Sequence, residues 1–141
     1  MIAYFDTSAV VPLLVEEPTT EQCNRLWDDA ARILTVRLTY PEARAALASA
    51  QRAGRLTRSQ LATAVADLEA LFEQIDVIEL GGDLARTAGD LAQHHGLRGY
   101  DAVHLAAALA VADDDLVLVT GDADLAAAAA TAGLSVARPI D

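Results

Sequence analysis

The sequence predicts an α/β protein with three layers, α/β/α, around a central, mostly parallel sheet of about 4–5 strands, with a projecting helical hairpin. Three observations lead there. Short, almost wholly apolar runs with β-branched character recur along the chain, stretches of helical length separate them, and glycines stand where those helices should stop. A strand that is apolar at every position is buried on both faces, as parallel strands covered by helices are.

Taken in order, the strand-like runs are Ile2–Phe5, Ile33–Val36, Val77–Leu80, Leu116–Val119 and Leu134–Val136. Helical stretches fill 20–31, 39–54, 57–74, 83–95, 101–112 and 122–132. Leu61, Val65, Leu68, Leu71 and Phe72 recur at the spacing of one helix face, and Trp27 and this stripe are expected in the core or on a dimer surface. Gly54, Gly96 and Gly133 fall where helix C-caps are expected. The Ala126–Ala130 run needs no special account, because Ala is the best helix former. Alternation fails once: the helices at 39–54 and 57–74 are joined only by the GRLT turn, and such a hairpin is a candidate partner-binding arm.

A length of 141 residues with 53% hydrophobic content predicts one domain, 1–141, with a real core. The apolar runs are too short and too often broken by charge to cross a bilayer. Met1 runs straight into IAYF, without a basic start or a cleavage pattern, and no export signal is expected. The single Cys23 has no partner for an internal disulfide, which makes a reduced, cytoplasmic setting the default. Acidic residues number 21 against 10 basic ones, a net charge of −11, and every basic residue is Arg. Such a surface repels nucleic acid at long range and favours a basic protein partner or bound cations. A nucleic-acid substrate would then need metal ions or local Arg clusters to be held.

Four carboxylates occupy special positions. Asp6 ends the first strand; Glu42 opens a helix in TYPEARAAL; Asp101 opens another in RGYDAVHLAAA; Asp122 follows LVLVTG in a T-x-D-x-x-L pattern. Taken singly, each reads as a cap. Thr39 to Glu42 fits a capping box with Pro41 in the first turn, and Asp6, Asp101 and Asp122 fit N-caps or first-turn acids. Taken together they read differently, because open α/β sheets bind ligands at the carboxyl ends of their strands, and all four belong on that edge. Four acids gathered there repel at short range and ionise together only with cations among them. An all-oxygen set selects a hard ion, Mg²⁺ or Mn²⁺. One or two such ions activate water and neutralise a phosphodiester undergoing hydrolysis. Rival chemistries are poorly served: without Lys there is no GK[ST] phosphate loop, no GxGxxG occurs, and Ser8 has no His near it in sequence.

The combination YFDTSAVV, TYPEARAAL, GYDAVHLAAA and LVLVTGDADL resembles the PIN-domain ribonucleases, specifically the VapC-type toxins of toxin–antitoxin pairs, from residue 2 to about residue 138. The resemblance implies a Mg²⁺-dependent endoribonuclease (Mn²⁺ substituting), commonly a homodimer, neutralised by a small VapB-type antitoxin. It implies metal binding chiefly at Asp6 and Asp101, with Glu42 and Asp122 completing the pocket and water between them as the attacking group.

Neighbouring residues have two readings each. The hydroxyls of Thr7, Ser8 and Thr120 either orient a carboxylate or cap helices. Asp124, two residues beyond Asp122, is expected to be a solvated first-turn acid. Arg44 and Arg98 lie beside Glu42 and Asp101, to stabilise phosphate or to pair with the acids; Arg52, Arg55 and Arg58 cluster at the hairpin turn, to meet RNA, a partner or only water. His104, three residues after Asp101, is expected as a packed, hydrogen-bonded side chain more than as a ligand, and His94 and His95 merely close a helix. Two other functions compete: a phosphatase or dehalogenase with Asp6 as nucleophile, which would want an acid where Ser8 stands and a Lys, and a non-catalytic acidic module that docks a basic protein.

Overall fold

The computed structural model describes residues 1–140. Five strands, β1 (Ile2–Phe5), β2 (Arg32–Val36), β3 (Asp76–Ile78), β4 (Leu116–Val119) and β5 (Ser135–Ala137), form one sheet in the order β3-β2-β1-β4-β5. Every neighbouring pair is parallel, with Ile2 opposite both Arg32 and Leu116. The chain moves outward from β1 through β2 to β3, then crosses back to build β4 and β5 on the other side. A crevice therefore opens between the carboxyl ends of β1 and β4, where the order reverses.

Helices α1 (Thr7–Leu14), α2 (Thr20–Asp29), α3 (Thr39–Arg52), α4 (Arg58–Gln74), α5 (Gly82–His95), α6 (Gly99–Ala110) and α7 (Ala123–Thr131) supply the outer layers. Alternation along β1 sends side chains to both. Ala3 and Phe5 pack with Val10, Cys23, Leu68 and Leu71 on one face, and Trp27 meets Phe5 edge-on. Tyr4 packs with Leu105, Leu118 and Leu125 on the other. Ala88, Ala102 and Ala106 let α5 and α6 approach closely, and α6 is buried over most of its surface.

Strands β1 and β4 fall where the apolar runs place them, while β3 and β5 differ by a residue or more, and β3 is set by its pairing from Leu34 opposite Asp76 to Val36 opposite Ile78. Helix α1 has no counterpart in the sequence reading. TSAVVPLL is nearly uniformly apolar, so no face can be read from it, and Pro12 argues against a helix. The hairpin of α3 and α4 does not project freely: Ala43, Leu68 and Leu71 join the core, and Arg55 in the turn reaches Glu17 at 3.0 Å. The capping box lies not at Thr39–Glu42 but at Thr57 and Gln60, which open α4. α3 has no side-chain cap; the Thr39 hydroxyl meets Thr35 at 2.6 Å, and Thr35 donates to the Phe5 carbonyl at 2.7 Å.

Candidate active site

The backbone delivers the four acids to one edge. Asp6 follows β1, Asp122 follows β4, and Glu42 and Asp101 lie in the first turns of α3 and α6. All four line one cleft of about 400 Å³, together with Thr7, Ser8, Glu17, Thr19, Arg98, Tyr100 and His104. Capping and site placement turn out to be compatible: Asp6 accepts from the Ala9 amide at 3.2 Å and Asp122 from the Leu125 amide at 2.8 Å, so two of the acids are N-caps as well.

Asp6 and Glu42 are held by hydroxyls and an imidazole. Ser8 donates to one oxygen of Asp6 and Thr120 to the other, each at 2.6 Å. Those hydroxyls in turn accept the Gly121 and Asp122 amides at 2.8 and 3.0 Å, which stitches the end of β1 to the end of β4. Oε1 of Glu42 meets the Thr7 hydroxyl and Nε2 of His104, each at 2.7 Å. The hydroxyls of Thr7, Ser8 and Thr120 thus all touch site carboxylates.

Asp101 and Asp122 are held by charge. Nη2 of Arg98 lies 3.0 Å from Asp101 and 3.2 Å from Asp122, and the guanidinium stacks 4.8 Å from the ring centre of Tyr100. Arg98 and Tyr100 are exposed, whereas Asp101 is buried.

Burial sets the proton affinities. It pushes the Asp6 carboxyl above its ordinary value, against the pull of His104 and of its hydrogen bonds. Asp101 is raised by the same cause, and by the negative charge of Asp122, against the pull of Arg98. Glu42 goes the other way: burial would raise it, but hydrogen bonds from His104 and Thr7 outweigh burial and hold it low. Tyr4, fully buried, is held well above the ordinary phenol by desolvation and by nearby Asp6 and Glu42, and it stays a hydroxyl donor.

Other expected residues stand elsewhere. Asp124 is exposed on the far side of α7, beside His95 and Gly96. Arg44 is exposed and donates to the Tyr40 hydroxyl at 2.8 Å, away from the cleft; Arg52 and Arg55 lie at the hairpin turn. Glu17, Thr19 and Tyr100 line the cleft without having been singled out in the sequence. Glu17 and Thr19 follow the unforeseen α1, while an aromatic immediately before Asp101 was a readable signal.

The donor set is made of oxygens, two of its acids are costly to leave charged, and Asp101 and Asp122 already gather around a cation. These residues fit a hard divalent ion. Among the described residues no three His, Cys, Asp or Glu side chains are grouped closely enough to form a ready metal cage.

Fold and site together define a three-layer α/β protein with an oxygen-lined acidic cleft at the carboxyl edge of a parallel sheet. The chain belongs to the PIN-domain family: the PIN domain profile matches residues 3–131. It is 46% identical over 136 residues to Ribonuclease VapC45 of Mycobacterium tuberculosis (strain CDC 1551 / Oshkosh), covering 96% of this chain and 94% of that one. Among solved structures, Mycobacterium tuberculosis VapC20, a sarcin-ricin loop cleaving toxin, superposes with a TM-score of 0.72 at 20% identity, covering 97% of this chain and 99% of the other. A toxin–antitoxin complex from Klebsiella pneumoniae does so with a TM-score of 0.66 at 20% identity, covering 99% and 98%. At those identities the superpositions establish the fold. PIN-domain ribonucleases use divalent metal ions as a class. Among the described residues, no helix is long and apolar enough to cross a membrane.

Proposed function

We propose that this chain is a Mg²⁺-dependent endoribonuclease, the toxin of a toxin–antitoxin pair, acting as a single PIN-domain unit in the cytoplasm. The convergence of Asp6, Glu42, Asp101 and Asp122 on one cleft at the sheet's switch point carries the reading. A 46% identity to a named ribonuclease supports it. Asp6 and Asp101 would chiefly hold Mg²⁺ (or Mn²⁺), with Glu42 and Asp122 completing the set. When bound, the ion lowers the proton affinity of water and neutralises phosphodiester charge.

The chain's own groups do the rest. Ser8, Thr120 and the Ala9 amide fix both oxygens of Asp6, so this acid is aimed before substrate arrives. Glu42, held charged, orients the attacking water and is placed to accept its proton. The water oxygen bonds to phosphorus as its proton passes to Glu42, the bond to the ribose oxygen breaks, and that oxygen leaves as an alcohol with a proton taken from solvent. Exposed Arg98 can exchange its carboxylate partners for a phosphate, supplying the local positive charge that an acidic enzyme of RNA needs. The net charge of −11 favours a basic VapB-type antitoxin segment as the partner, and the active form is a homodimer. A non-catalytic docking module would require the acids only as scattered caps. They are not scattered.

The test is cleavage of a structured RNA by the purified chain in Mg²⁺, in Mn²⁺ and in EDTA. We expect cuts that need the ion and vanish in Asp6→Asn and Asp101→Asn. Cleavage by either variant at the wild-type rate would overturn the assignment.

A further inference from the structure

We propose that His104 is a positioning residue for Glu42: backed by Tyr4, its imidazole donates Nε2–H to Oε1 of Glu42 and so fixes which oxygen of that carboxylate is left for the cleft. The proposal rests on the reading of Glu42 as a site acid.

The imidazole bridges the core and the cleft. His104 lies on α6, one turn beyond Asp101, and is 2% exposed. On one side Nδ1 is 2.9 Å from the Tyr4 hydroxyl, on the strand that delivers Asp6, and the two rings meet edge to face. On the other side Nε2 is 2.7 Å from Oε1 of Glu42. A carboxylate only accepts, so Nε2 must carry the proton. With the proton on Nε2 alone, Nδ1 is an acceptor, and the Tyr4 hydroxyl stands where it can donate to it. Both ring nitrogens are engaged, and the Nε2–H tautomer is the one the proposal requires.

Glu42 gains a fixed direction from this. Oε1 accepts twice, from Thr7 on α1 and from His104 on α6, while among the described residues Oε2 has no hydrogen-bond partner. The helix beneath is pinned as well, through Thr39 to Thr35 and the Phe5 carbonyl. A histidine serving only to fill space would be matched by any apolar side chain of its volume. This one joins a wholly buried strand hydroxyl to an acid of the cleft across three elements. Groups that orient a ligating side chain in this way are worth about 10- to 100-fold in metal affinity or activity.

Three measurements test the tether: Mn²⁺ affinity by electron paramagnetic resonance, RNA cleavage, and the long-range ¹H–¹⁵N spectrum of the imidazoles. We expect His104→Leu to weaken Mn²⁺ binding and lower kcat/KM by about 10- to 100-fold while the chain stays folded. His104→Gln, which can present an amide N–H near the same place, should recover most of both. Tyr4→Phe, which keeps the packing, should lose a few-fold. The wild-type ring of His104 should read as the Nε2–H tautomer, with Tyr4→Phe a mixture. Wild-type Mn²⁺ affinity and cleavage in a folded His104→Leu, or an Nδ1–H tautomer in the wild type, would overturn the proposal. If His104→Leu does not fold, Tyr4→Phe and the tautomer decide. Glu42→Gln separates the two levels. Normal binding and cleavage there remove Glu42 from the site and the tether with it, whereas a defective Glu42→Gln beside a normal His104→Leu removes the tether alone.

Discussion

Asp6 with Glu42, and Asp101 with Asp122, are all carboxylates lining one cleft at one sheet edge, yet the two pairs are held in different ways. The first pair is anchored by hydroxyls, an amide and an imidazole that belong to the start of α1, the residue after β4 and the middle of α6. The second pair shares one guanidinium whose side chain is 59% exposed. The guanidinium is open to water even where its partner Asp101 is buried, so it can leave for another anion, and the more open pair with Asp122 contributes only roughly 0–1 kcal/mol. A buried network whose donors are built into the fold does neither. The cleft therefore combines a rigid half, which sets geometry, with an exchangeable half, which can trade one cation for another.

The most severe break of that contrast is in the rigid half. Asp6→Asn should cost RNA cleavage about 10³-fold or more, since an ion's charge stabilisation is worth several kcal/mol. The same substitution removes a charge that burial disfavours, so melting in EDTA should be unchanged or higher. A second melt should lose the stabilisation that millimolar Mn²⁺ gives the wild type. A variant that melts far lower in EDTA would show that Asp6 serves the fold and not an ion.

Arg98→Ala probes the exchangeable half and has a smaller effect. Without the guanidinium, Asp101 and Asp122 face each other unscreened, and Mn²⁺ should bind up to about fivefold more tightly, the equivalent of an exposed pair worth ~1 kcal/mol. Cleavage should nonetheless fall, because the phosphate loses its cationic partner. Titration calorimetry set beside cleavage rates checks both signs at once.

The two kinds of shift also separate by pH in the metal-free protein. Glu42 is lowered, so its contribution is present above the ordinary carboxylate range and is lost as pH falls through its lowered value. Asp6 and Asp101 are raised, so the folded state holds their protons longer than the unfolded chain. Stability from these two falls as pH rises from the ordinary range through their raised values. Each proton contributes at most about 1.4 kcal/mol per pH unit. Melting curves in EDTA should show Asp6→Asn flattening the decline on the alkaline side and Glu42→Gln flattening the rise on the acid side. Identical profiles for both variants would erase the distinction between them. The smallest expected change is Thr7→Val, which leaves Glu42 one donor short and should cost about 1 kcal/mol of stability with a cleavage loss of a few-fold.

Much of this arrangement was legible in the residues, and what was not has a common cause. β1 and β4 could be read because short apolar runs bounded by polar residues have few alternatives, and Asp6 and Asp122 came with them. The rest depended on contacts that no local pattern encodes. Arg98 was visible beside Asp101, but its second partner lies 24 residues on. The His104–Glu42 bond spans 62 residues, so the histidine could be expected to be hydrogen-bonded without its partner being named. α1 was hidden because an apolar helix pressed against a sheet shows no polar face, and with it went the position of Glu17 and Thr19. The capping box failed at Thr39 and Glu42 because tertiary partners, Thr35 for one and His104 for the other, claimed the groups that would have closed it.

The central place of β1 has one more consequence. Its edges are covered by β2 on one side and by β4, more than a hundred positions later, on the other. During synthesis the opening strand must wait for the 116–119 segment before its second edge is filled, and Asp6 waits until then for Thr120. A nascent chain that has not yet reached Thr120 therefore holds Asp6 by Ser8 and the Ala9 amide alone, with one of its two carboxylate oxygens still untethered.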